Sequence, residues 1–191
     1  MKIVCRMLGL GVIVVATGCG GPGSVNGTID GTTINVQSAI FGEHMNSDGT
    51  VANISIVLSD TPNACAVVKA NQYRANATGA VIVAAREDQS GGFVPPTAGK
   101  YAIVETGQNI TPPGNFAGIN FFRSDSNCND RMPSDYAVAR DGLLTIDKLE
   151  LGSSVTGTFN VVVGPDQAKV TGSFTATYCE APTGQGAPTC Q

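Results

Sequence analysis

At 191 residues, with 15 acidic against 11 basic side chains and a formal charge of −4, the chain has no electrostatic footing for nucleic acid. Only 14% of residues are charged and tryptophan is absent, so a broad aromatic glycan platform lacks its usual residue. The length suits a single domain with a single core.

The chain opens on a compact pattern. Lys2 and Arg6 precede a largely apolar run from Met7 to Ala16, which ends in Ala16-Thr17-Gly18-Cys19 and then Gly20-Gly21-Pro22-Gly23. The run is too short for a bilayer core of ~30 Å, which needs roughly 20 helical residues, and it matches the charged and apolar regions of an export signal. With small residues directly before a cysteine, the junction resembles the lipobox of bacterial lipoproteins, although Ala16 stands where leucine is usual. That resemblance implies a signal peptide over 1–18, acylation of Cys19, a bilayer as partner and a flexible tether over 19–24. A single β-rich domain would follow over 25–191. Because Gly20 is not aspartate, the resemblance further implies sorting to the outer membrane.

Downstream, strand signals are short and frequent. SVNGTID and TTINVQSAI flank Gly31 and predict a first strand pair. VANISIVLSD alternates, placing Ile54, Ile56 and Leu58 on one face and Asn53, Ser55 and Val57 on the other. Asp60-Thr61-Pro62 supplies a cap and then proline, predicting one short helix near residues 62–73. Its inward face is either Cys65, Val68 and Gln72 or Ala64, Val67 and Val68. Strands resume at ATGAVIVAARE, KYAIVET, NFAGINFFRS and YAVAR, and Asp141-Gly142 predicts a hairpin turn into LLTIDKLEL. The clearest pair is VTGTFNVVV and KVTGSFTATYC, each carrying T-G-[TS]-F. Phe159 is expected in the core. Together these signals predict an all-β fold, an antiparallel β-sandwich or barrel. The body resembles the small secreted β-domains of Gram-negative lipoproteins.

Apart from Cys5 and Cys19, four cysteines remain, and an even number in an exported chain predicts disulfides. We expect Cys65–Cys128, tethering the helix, and Cys179–Cys190, pinning the tail. Zinc is a poor alternative, because no C-x₂₋₄-C spacing occurs and His44 is the only histidine.

Other polar clusters invite chemistry without completing it. Asp125-Ser126-Asn127-Cys128-Asn129-Asp130 begins like a calcium loop but lacks glycine at the sixth position and glutamate at the twelfth. Glu43, His44 and Asp48 surround a turn with no G-x-S-x-G elsewhere. Tyr73, Tyr101 and the Phe121–Phe122 pair are aromatic enough for a binding face, yet their strand positions favour burial. The sequons at Asn26, Asn53, Asn76 and Asn109 follow from an Asn/Thr/Ser-rich composition. No catalytic, metal or cofactor site is predicted.

Three functions compete. The leading expectation is a membrane-anchored envelope lipoprotein, a non-enzymatic module binding an envelope protein or small ligand. The second is a β-barrel carrier with an apolar ligand inside. The third is an envelope hydrolase using Glu43, Asp48 or Asp125. An apolar cavity would favour the carrier, converging carboxylates the enzyme, and an exposed apolar patch over a filled core the module.

Overall fold

A computed structural model describes residues 21–105, 114–180 and 187–191; Cys19 and Asn109 lie outside them. In chain order come β1 (Gly23–Asn26), β2 (Ser38–Met45), β3 (Val51–Ser59), helix α1 (Ala64–Lys69), β4 (Gln72–Tyr73) and β5 (Thr78–Glu87). Next are β6 (Phe93–Val94), β7 (Gly99–Ile103), β8 (Gly114–Arg123) and helix α2 (Ser134–Ala137). The chain finishes with β9 (Ala139–Glu150), β10 (Ser154–Val163), β11 (Ala168–Tyr178) and β12 (Thr189–Cys190).

Eight strands close a barrel in the order β2-β3-β5-β8-β7-β9-β10-β11, with β11 returning to β2. The barrel is mixed rather than wholly antiparallel. Both β7–β8 and the β11–β2 seam are parallel, the seam pairing Thr177 with Ile40 and Tyr178 with Phe41. Beyond it the Cys179 N–H donates to the Phe41 carbonyl at 2.8 Å. Upstream on the same edge of β11, β1 pairs antiparallel with residues 171–174.

Alternation fills the interior. Ile54, Ile56 and Leu58 are fully buried, as their period-2 spacing predicts, and Ile82, Ile119, Leu144 and Phe159 join them. Tyr101 is buried too, and its hydroxyl both donates to the Thr97 carbonyl and accepts from the Thr97 N–H. One end of the barrel is plugged by the β1–β2 connection, which buries Ile29 and Ile34, together with Met132 from the β8–β9 connection.

The two T-G-[TS]-F stretches interlock. Antiparallel register sets Gly157 opposite Phe174 and Phe159 opposite Gly172. Each glycine leaves room for the other copy's ring: a Cβ on Gly157 would lie 2.7 Å from the Phe174 ring, and one on Gly172 would strike the Phe159 ring.

Several sequence expectations need correction. The strand pair expected over 24–40 shrinks to a single antiparallel Ile29–Thr32 bridge around Asp30-Gly31, because Ile29 and Ile34 are drawn into the core rather than extending the pairing. The expected tether overlaps the fold, since Gly23 and Ser24 already pair with β11. Asp141-Gly142 does not turn the chain but sits inside β9, beside a register shift that leaves Arg140 unpaired. Gly142 has φ +130°, and a Cβ there would collide with the Asn160 carbonyl, so the bulge needs glycine. The helix spans six residues, Ala64–Lys69, and Gln72–Tyr73 belong to β4 instead. Asp60 does not cap it, because its carboxylate accepts from the Thr78 N–H and hydroxyl. Tyr136 and Ala137 are helical in α2, so β9 begins only at Ala139.

Gly157→Ala tests the interlock. Overpacking against the Phe174 ring and the Thr145 carbonyl should cost about 1–3 kcal/mol, read by urea unfolding, whereas Gly114→Ala, with open space around it and no positive φ, should cost little. Equal costs for the two variants would refute the close packing at Gly157.

Candidate functional site

The outer faces of β3, β5 and β8 carry Val57, Val81 and Phe122, apolar groups pointing away from the interior. Outward apolar residues on neighbouring strands call for a cover, and α1 with β4 supplies part of one. Between wall and cover lies a groove of about 530 Å³, with Val67 and Ala64 of α1 on one side. Buried Thr61 adds a polar group to its lining, and Gln72, Arg74, Ser124 and Asp130, all at least partly exposed, give it a polar rim.

The cover is docked by a small apolar cluster and by hydrogen bonds. Ala64 packs with Ile40 and Cys179, and Val57, Cys65 and Val68 border them. The Ser38 hydroxyl donates to the Thr61 carbonyl and accepts from the Ala64 N–H at 3.3 Å. Asn63, ahead of the helix, adopts φ 57° without a side-chain cap, so the serine of β2 takes the capping role.

Both disulfides brace this region, and neither has the expected partners. Cys65 bonds to Cys179 and Cys128 to Cys190, replacing Cys65–Cys128 and Cys179–Cys190. The cause is the seam. With β11 ending beside β2, Cys179 emerges beneath α1, where Cys65 faces the barrel. The tail then reaches β4, where β12 pairs in parallel, Thr189 with Gln72 and Cys190 with Tyr73. That contact brings Cys190 to the loop carrying Cys128, itself a groove-lining residue.

The aromatic candidates divide. Tyr101 and Phe121 are core residues, whereas Tyr73, 58% exposed, and Phe122 border the groove.

Asp125 is engaged within its own loop. It accepts from the Asn127 and Asn129 N–H groups and pairs with Arg131 at 2.6 Å. The Asn127 N–H above all, with Arg131 and Asn129, holds its carboxyl down at about 2. Its oxygens thus organise a polar loop around Cys128.

Glu43, His44 and Asp48 do not converge. Glu43 accepts from the Gly152 N–H, and Asp48 accepts from the Thr50 hydroxyl and N–H, which lower its pKa. His44 Nε2 instead lies 2.8 Å from the Ser55 hydroxyl on the exposed outer wall. Ser55 was not foreseen as a partner, although its outward register beside β2 follows from the alternation of β3. Among the described residues no carboxylate hydrogen-bonds His44, so the pair lacks the group that would orient a general base.

The groove itself escaped sequence reasoning. Its signal was present in the continuous apolar runs of β3 and β5, where Val57 and Val81 break the apolar-in, polar-out pattern. No protein-family model, curated protein or solved structure matches this chain.

Proposed function

We propose that this chain is a lipid-anchored envelope β-barrel that binds a small apolar ligand in the groove on its outer wall. The groove is the observation that carries the reading. Ligand sites are typically clefts of ~300–1,000 Å³ with apolar walls and a few placed polar groups, and a 530 Å³ groove with a valine and phenylalanine floor fits that description. Barrel architecture supports a carrier role, but the interior is taken up by Tyr101, Phe41, Phe121 and their neighbours. The ligand therefore belongs outside, not in the lumen as the carrier expectation had it. Two disulfides at the groove preorganise its walls, which lowers the ordering cost of binding. The isolated His44–Ser55 pair favours binding over hydrolysis.

The anchor rests on Ala16-Thr17-Gly18-Cys19 and the glycine-rich stretch after it. Several acyl chains on Cys19 would suffice for stable attachment, since two membrane signals already do. Gly20 in place of aspartate favours the outer membrane.

The groove is tested with the neutral apolar dye N-phenyl-1-naphthylamine. The protein should show one saturable fluorescence site, and Val67→Trp, which fills the groove from α1, should weaken it by about tenfold or more. Unchanged binding with a native circular dichroism spectrum would contradict this location. For the anchor, intact-mass spectrometry of the membrane fraction should show an acylated N-terminal Cys19, and Cys19→Ser should release the protein from the membrane. A native protein without lipid would contradict the anchoring.

A further inference from the structure

The groove has an apolar floor, yet one rim residue carries a charge that no side chain among the described residues answers. Five arginines lie among the described residues. Arg123 pairs with Asp30, Arg131 with Asp125 and Arg140 with Asp135, and Arg86 reaches the Thr97 hydroxyl. Arg74 alone has no side-chain partner among the described residues, and it is the sole basic residue lining the groove.

Its backbone is nevertheless firmly held. The Arg74 carbonyl accepts from the Ser124 hydroxyl at 2.9 Å, and the next N–H, that of Ala75, donates to the Gln191 carbonyl at 2.7 Å. Immediately before it, Tyr73 pairs with Cys190, which is bonded to Cys128. The backbone is fixed while the exposed side chain stays uncommitted, so its planar fork is available to grip a carboxylate through two parallel hydrogen bonds.

Asp130 is the acidic group on the same rim, and among the described residues it forms no ion pair with Arg74. One of its oxygens accepts from the Met132 N–H at 2.9 Å and the Arg123 N–H at 3.3 Å, which turns the carboxylate into its own loop.

We propose that the ligand is an aliphatic carboxylate, its chain lying on Val57, Val81 and Phe122 and its head gripped by Arg74. This rests on the groove reading and gives it a ligand class. An anionic head also explains a hydrophilic rim over an apolar floor: the chain leaves water while the charge stays at the mouth.

The test compares decanoate with decanol as displacers of N-phenyl-1-naphthylamine from the intact protein. Decanoate should displace the dye at a concentration about tenfold lower, and Arg74→Gln should remove that preference, read as the acid-to-alcohol ratio within the variant. Equal potency of acid and alcohol in the wild type, or a preference that survives Arg74→Gln, would overturn the carboxylate proposal and leave the groove in place. Dye binding insensitive to Val67→Trp would overturn the groove, and the carboxylate proposal with it.

Discussion

The short parallel contact between the end of β11 and β2 is the constraint on which the rest of the molecule depends. Two residue pairs, Thr177 with Ile40 and Tyr178 with Phe41, convert an open sheet into a closed barrel. An open sheet would expose the unpaired backbone groups of two edges, a standing template for aggregation. Upstream on β11, the same edge is covered by β1. Closure also lets the interior be packed from all sides, so that residues from eight strands share one core.

The Cys65–Cys179 bond lies one residue past that seam and spans 114 positions of sequence. Chain-entropy reasoning gives such a link close to 5 kcal/mol, at about 4.7 for a 100-residue loop. Its position matters as much as its size. By tying α1 to the end of β11, it holds the helix over the outer wall, where a six-residue helix could not stay folded by itself. The second bond, Cys128–Cys190, fixes the tail and β4 on the far side. The groove is thus a consequence of barrel closure: its floor is the barrel wall and its sides are elements cross-linked to that wall.

Local patterns in the sequence were legible where the physics is local. Alternation in 51–60 placed Ile54, Ile56 and Leu58 inside, and Phe159 took its core position beside the matched strand carrying Phe174. What failed was long range or ambiguous. Ile40 and Thr177 meet across most of the chain, and nothing in either segment announces the other, so the cysteine partners that depend on that meeting were misassigned. Asp141-Gly142 misled for another reason: a type I′ hairpin turn and the irregular strand at Gly142, φ +130°, both need a residue that tolerates positive φ, and glycine serves each. Similarly, a proline after a capping residue predicted the helix start, but Asp60 found a stronger claim in Thr78. For the site, polar and charged clusters drew attention away from the outward valines that form it.

Barrel closure and the groove walls are both written into the cysteine connectivity, which peptide mapping of the non-reduced protein reads directly. Proteolysis without reductant should yield one peptide pair linked through Cys65 and Cys179 and a second through Cys128 and Cys190. Recovery of Cys179 linked to Cys190 would contradict it, because the end of β11 would then be tied to its own tail and nothing covalent would hold α1 against the seam.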